Sequence, residues 1–261
     1  MELFFREYAA RCSQVEAKED LIILHGLFGI SDNWVGYARK LSANRKIIIP
    51  DLRNHGQSPH NDSFELDDLV NDLHTLIKNN NITKPIIMGH SLGGRIAMRY
   101  AILYGESISN IIVIDMSLRS VRKKPEHLAL ISLMTQFPIN EMENLKQINE
   151  YLAEKDINPR LAKIIIKNIR KIETGFEWKV YFKPLIELFD KESEPLVNDT
   201  DMFEKECLFI RGGNSDYVLD SDISNIIKHF PKAKISTIKD ASHWVHADQP
   251  AEFMKSLDEF I

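Results

Sequence analysis

The sequence has few cysteines, no long apolar run and no excess of positive charge, and each shortage narrows what the chain can be. Its two cysteines, Cys12 and Cys207, lie far apart in the 261 residues, which fits neither a disulfide scaffold nor a zinc site. No apolar stretch approaches the roughly 18 residues that cross a membrane. The net charge of −5 argues against nucleic-acid binding, which uses a basic face.

The first residues carry acidic side chains and lack the apolar centre of a secretory signal. Together with Cys207 read as a buried free thiol, this predicts a reducing, cytoplasmic location. A hydrophobic content of 44% is ordinary for a globular protein. We therefore expect a small-molecule ligand as the partner, with no nucleic acid and no membrane span.

Short apolar runs alternate with helical segments in the first and last parts of the chain. These runs are Leu3–Tyr8, Leu21–Leu24, Lys46–Ile49, Pro85–Met88, Asn110–Ile114, Cys207–Ile210 and Lys234–Ile238. Continuous apolar runs of this length are typical of parallel strands buried on both faces. The alternation predicts a mostly parallel, doubly wound α/β sheet. Between the two parts the pattern reads as helices without strands. We therefore expect residues 1–117 and 205–261 to form the core and 118–204 to form an inserted helical cap over the strand ends.

Gly89-His-Ser-Leu-Gly-Gly94 is the most informative motif. It follows an apolar run and opens an amphipathic helix, which is the strand–turn–helix context of a nucleophile elbow. The motif predicts that Ser91 is a nucleophile held at a helix N-terminus, where backbone N–H groups favour negative charge. The alternative is a glycine-rich turn with an incidental serine.

A nucleophilic serine needs a base and an acid that orients the base. His243 follows the last apolar run in Asp240-Ala-Ser-His-Trp244, and we expect it to be the base. Two acids fit: Asp216 follows the run that begins at Cys207, and Asp115 ends the run Asn110–Ile114. Spacing alone does not separate them.

The remaining parts of the site are predicted from position and composition. The N–H groups expected to stabilise an oxyanion belong to Leu92 and to Phe28, or alternatively Leu27, in the turn after Leu21–Leu24. Trp34, Trp178 and Phe182 are candidates for lining an acyl pocket. The basic residues Arg119, Arg122, Lys123 and Lys124 could attract the phosphates of a ligand. No cluster offers a closed metal site, so no metal is expected.

Four segments together resemble the α/β-hydrolase superfamily, and more narrowly the YbfF-type esterases and their eukaryotic relatives. They are His25–Gly29, Asp51–Ser58, Gly89–Gly94 and Ser242–Ala247. The resemblance covers the predicted core and is weak across the cap. It implies cofactor-free hydrolysis of carboxylic esters or thioesters, acyl-CoA-like ones included, and it favours Asp115 as the acid. Other chemistry of this fold (C–C hydrolysis, perhydrolysis, lactone opening) and a non-catalytic binding role remain the alternatives.

Overall fold

A computed structural model describes residues 1–11, 18–119, 125–190 and 195–261. Cys12 and the basic residues Arg122, Lys123 and Lys124 lie outside these described residues. Within the described ranges the strands are β1 Phe5–Tyr8, β2 Leu21–Leu24, β3 Ile47–Pro50, β4 Ile86–His90, β5 Ile111–Ile114, β6 Ile169–Ile172, β7 Gly175–Trp178, β8 Cys207–Gly212 and β9 Ala233–Ile238. The helices are α1 Val35–Leu41, α2 Leu66–Asn79, α3 Leu92–Tyr104, α4 Pro125–Gln136, α5 Leu145–Glu154, α6 Pro159–Lys167, α7 Phe182–Asp190, α8 Asp220–His229, α9 Val245–Asp248 and α10 Pro250–Asp258.

Seven of these strands form one sheet in the order β1-β3-β2-β4-β5-β8-β9. The edge strand β1 runs antiparallel to β3, and every other neighbouring pair is parallel. The doubly wound, mostly parallel sheet predicted from the apolar runs is therefore confirmed. The register pairs Leu24 with Gly89, and His90 with Ile114. The residues that follow β2, β4 and β5 consequently meet at one edge of the sheet.

The apolar runs are continuous because helices cover both faces of the sheet. In β2, Ile22 and Leu24 pack in the cluster that includes α2 and α3, whereas Leu21 and Ile23 pack in the cluster that includes α1 and α10. All four side chains of this strand are completely buried. Cys207 begins β8 as a buried free cysteine, and burial raises the pKa of its thiol to about 12. Among the described helices, none is both long and apolar enough to cross a membrane.

Residues 118–204, which we call the cap, connect β5 to β8. Apolar residues of the cap, such as Met134, Ile148 and Ile165, belong to the same buried cluster as Ile96 of α3. The cap therefore shares a core with one face of the sheet.

The cap also contains structure that the sequence pattern does not predict. Strands β6 and β7 form an antiparallel hairpin, with Ile172 opposite Gly175. A two-residue turn joins them, and Gly175 then has a φ of 132°, a conformation that favours glycine. The expectation of an all-helical cap was therefore wrong.

Candidate active site

Ser91 lies between β4 and α3 in a strained turn. Its φ of 54° and ψ of −114° lie outside the conformations that a serine readily adopts. The strand and the helix approach so closely that a Cβ on Gly89 would lie 2.1 Å from the carbonyl oxygen of Gly93. A Cβ on Gly93 would lie 2.4 Å from the carbonyl oxygen of Leu24. Both glycines are therefore required by this geometry.

We expect Gly89→Ala to lower the free energy of unfolding by about 4 kcal/mol or more, because backbone atoms must move to admit the methyl group. Gly36→Ala in α1 is the matched control, since a Cβ there meets nothing within 4 Å. It should raise stability by about 0.5–1 kcal/mol through the helix preference of alanine. Urea denaturation of both variants measures the difference, and equal stabilities would contradict this reading of the elbow.

Asp115 comes directly after β5 and is completely buried. Its Oδ2 lies 2.8 Å from Nδ1 of His243. The Gly212 amide donates to Oδ1 at 2.9 Å, and the Ser215 hydroxyl also donates to the carboxylate. Of the two acids that the sequence leaves open, the structure places Asp115 against the histidine. The backbone carbonyl of Asp216 accepts a hydrogen bond from the Arg119 guanidinium at 2.7 Å.

Two aromatic residues hold the His243 loop in place. The Tyr217 ring stacks on the imidazole of His243, with 3.6 Å between centroids and 14° between planes. On the other side, Nε2 of His90 donates to the carbonyl oxygen of His243 at 2.9 Å. Because His90 immediately precedes Ser91, this bond brings the serine and histidine loops together. Sequence reasoning missed Tyr217, whose hydroxyl also contacts His127 of the cap at 3.1 Å.

The backbone groups near Ser91 differ in their availability. The Leu92 amide begins α3, where the first N–H groups of a helix have no partner within the helix. The Phe28 amide, which the sequence favours as the second oxyanion donor, donates instead to Nε2 of His55 at 3.2 Å. Among the described residues, the Leu27 amide has no acceptor. The available donor in this turn is thus Leu27, the alternative left open by the sequence.

Four histidines surround the site and are held neutral: His25, His55 and His90 are buried, and His246 is half-buried. Burial lowers the pKa of His55 to about 3 and that of both His25 and His246 to about 4. Burial also places the pKa of His90 well below its usual value. In His25, Nε2 accepts the Leu52 amide at 2.9 Å, so these rings link loops at the carboxyl edge of the sheet.

The three predicted pocket residues separate into two environments. Trp34 is only 1% exposed and stacks on His246 at a centroid distance of 4.5 Å. It therefore packs in the core rather than lining a pocket, as the sequence had suggested. Trp178 and Phe182 lie in the cap and contact each other edge to face at 5.4 Å. Both are partly buried, as a pocket wall requires.

Of the four basic residues that the sequence suggests for attracting phosphates, Arg119 lies within the described residues. Arg119 forms an ion pair with Asp222 at 2.7 Å. This pairing weakens the expectation that Arg119 attracts substrate phosphates. The described ranges contain no group of three or more histidine, cysteine or acidic side chains placed to hold a metal ion.

Comparison with known proteins agrees with this fold. Residues 21–137 match the family model of the alpha/beta hydrolase fold. The chain is 30% identical to the sn-1-specific diacylglycerol lipase ABHD11 of Mus musculus, an alignment that covers 92% of this chain and 80% of that protein. The chain therefore belongs to the α/β-hydrolase fold family.

Further similarity is found in a bacterial relative and in a solved structure. The chain is 28% identical to the esterase YbfF of Escherichia coli, and the alignment covers 92% of each protein. A structure described as a marine microorganism esterase superposes with a TM-score of 0.91 at 33% identity and covers 100% of this chain and 99% of that one. This similarity extends through the cap as well as the core.

Proposed function

We propose that this protein is a serine hydrolase that cleaves carboxylic esters through an acyl-enzyme on Ser91. The single observation that carries the proposal is the 2.8 Å contact between His243 Nδ1 and the buried carboxylate of Asp115, on a loop bonded to the strained serine turn. A carboxylate at Nδ1 fixes the imidazole tautomer that leaves Nε2 free to accept a proton. The names of the relatives, an esterase and a diacylglycerol lipase, support an ester as substrate.

In this mechanism, the Ser91 hydroxyl attacks the ester carbonyl while His243 takes its proton. Asp115 stabilises the imidazolium that forms. His243 then gives the proton to the leaving alcohol, so that the carbon–oxygen bond breaks and the acyl group remains on Ser91. Water, deprotonated by the same histidine, attacks the acyl-enzyme, the bond between the acyl carbon and Ser91 breaks, and His243 returns the proton to Ser91 as the acid is released.

We assign the stabilisation of the tetrahedral oxyanion to the N–H groups of Leu92 and Leu27. The support is their availability: Leu92 opens a helix, whereas the Phe28 amide is bonded to His55. Removing one such donor typically costs about 10²–10³ in rate. Residue Phe28 then supports the turn rather than donating to the substrate.

For the acyl group, we propose contact with Trp178 and Phe182 of the cap. Apolar aromatic side chains at a site of this kind bind an alkyl or acyl chain by burying it. Because Arg119 is paired with Asp222, we assign it no contact with substrate phosphates, and the choice of an oxygen ester rests on the names of the relatives.

The test combines an active-site probe with a substrate panel. A fluorophosphonate should label the wild type at Ser91, located by peptide mass spectrometry, and should not label Ser91→Ala. The panel comprises p-nitrophenyl esters of increasing acyl length, a diacylglycerol, an acyl-CoA and a lactone. Turnover of the oxygen esters supports the proposal. A labelled enzyme that prefers the thioester or the lactone would show that the protein is a serine hydrolase with a different class of substrate. The absence of both labelling and turnover would favour a binding protein.

A further inference from the structure

Asn168 lies at the C-terminal end of α6, where the helix meets the β6–β7 hairpin. Its side chain is completely buried. Its backbone is fixed on both sides: the N–H donates to the carbonyl oxygen of Ile165 at 3.0 Å, and the C=O accepts the Lys179 amide at 2.7 Å. The side-chain amide therefore projects from a rigid position in the cap.

This amide reaches from the cap to the turn beside Ser91. Nδ2 of Asn168 donates to the carbonyl oxygen of Phe28 at 2.8 Å, and also to that of Ile164 at 2.9 Å. Residue Phe28 has a φ of 59°, a left-handed conformation that is unfavourable for a large side chain. Since His55 accepts its N–H, Phe28 is held from the core on one side and from the cap on the other.

The other end of α6 is bonded to the loop that carries His243. Arg160 pairs with Asp248 and donates to the hydroxyl of Ser242 at 3.3 Å. Asp248 also accepts the Ser242 amide at 2.9 Å. Helix α6 is thus bonded at one end to the turn after β2, which contains Phe28, and at the other end to the loop of the proposed base.

The Asn168 amide also lowers the stability of the fold, so stability does not explain why an amide occupies this position. Its Oδ1 is buried and has no hydrogen-bond partner among the described residues. A buried acceptor without a partner typically costs about 1–3 kcal/mol, and an apolar residue of similar size would avoid that cost. Besides the local bond to Ile164, the contribution specific to the amide is its donation to Phe28.

We propose that Asn168 is a positioning residue through which the cap holds the oxyanion-binding turn in the geometry that the transition state requires. Leu27 immediately precedes Phe28, whose N–H and C=O are both bonded, so these bonds limit the movement of the turn that carries the Leu27 N–H. The inference rests on the proposed function. Because the oxyanion exists only after attack on the carbonyl, the effect falls on the transition state and leaves substrate binding unchanged.

Asn168→Leu and Asn168→Asp test this role. Leucine preserves the volume and removes the donors; aspartate preserves the shape and replaces the donor with an acceptor, which keeps the test available if the leucine variant does not fold. For ester hydrolysis we expect kcat to fall about 10- to 100-fold with KM within about twofold. The inhibition constant of an alkylboronic acid, whose tetrahedral adduct places an oxygen in the oxyanion site, should rise about tenfold or more.

Asn80→Ala is the matched control. Asn80 also ends a helix, and its side chain also donates to the carbonyl oxygen four residues earlier, that of Leu76, at 2.8 Å. Its side chain is exposed, and the residue lies outside the cap. It should keep both the wild-type kcat and the wild-type boronic acid affinity. If folded Asn168 variants bind the boronic acid as tightly as the wild type, the inference is wrong even though the hydrolase stands. A wild type that neither turns over esters nor binds the boronic acid overturns the proposed function and the inference with it.

Discussion

Asp115→Asn should lower kcat/KM for esters by about 10⁴, the loss typical when the orienting carboxylate of such a triad becomes an amide. Asparagine matches the shape of aspartate and tolerates the left-handed φ of 48° found at this residue. The Gly212 amide still finds an oxygen acceptor. The change therefore tests the charge and the acceptor at His243 rather than the fold.

Asp216→Asn is the discriminating partner of this experiment. Asp216 lies on the loop that the sequence allows as the alternative source of the acid, whereas it is Asp115 that contacts Nδ1 of His243. We expect the Asp216 variant to retain activity near that of the wild type. Steady-state kinetics and the rate of fluorophosphonate labelling measure both variants. A loss confined to Asp216→Asn would transfer the acid role to that residue.

Much of the sheet could be predicted because its strands are buried on both faces. Burial on both faces turns each strand into a continuous apolar run, and this is why the run Leu21–Leu24 coincides with β2. The serine turn was equally visible, since the close approach of α3 to β4 admits only glycine at Gly89 and its close approach to β2 admits only glycine at Gly93. In both cases a local physical requirement restricts the residues that can occupy the position.

What could not be predicted depends on contacts between distant residues. The β6–β7 hairpin has strands of only four residues, and two of the residues in β6 are exposed, so no apolar period marks it. Tyr217 and Asn168 have their roles through partners on other elements. Trp34 was placed in a pocket because aromatic residues near a site are ambiguous, whereas its stacking on His246 is visible only in three dimensions.

The two candidate acids show what position along the chain can predict and what only the side-chain contacts reveal. Each aspartate follows a parallel strand, and both strands end at the same edge of the sheet. Position along the chain therefore cannot separate them. The separation comes from the side chains: the Asp115 carboxylate accepts bonds from Gly212, Ser215 and His243 at once.

The protein should lose stability steeply as the pH falls from about 6.5 towards 4, because four histidines, three of them buried and His246 half-buried, must stay neutral in the native state. Burial sets the pKa of His55 at about 3 and that of His25 and His246 at about 4, whereas an unfolded chain binds these protons near pH 6.5. The unfolded state therefore gains protons first, and each histidine removes about 1.4 kcal/mol of stability per pH unit over this window.

Between pH 6.5 and pH 5, the three histidines with these pKa values remove about 5 kcal/mol in all, and His90 adds to this because its pKa is also lowered. A typical domain has about 5–15 kcal/mol of stability in total. The protein should thus approach unfolding near pH 5, as measured by urea denaturation at a series of pH values. The native state resists protonation of these rings, so the loss is one of folding rather than of a single catalytic group.

His246→Phe isolates one contribution to this acid sensitivity. Phenylalanine keeps the aromatic stacking on Trp34 and removes a group that titrates only in the unfolded state. Between pH 7.5 and pH 5, the free energy of unfolding of this variant should fall by about 2 kcal/mol less than that of the wild type. Asn80→Ala is the control, since it replaces an exposed residue without removing a titratable group and should leave the pH dependence unchanged. Equal pH dependence in the wild type and in His246→Phe would show that acid unfolding originates elsewhere in the molecule.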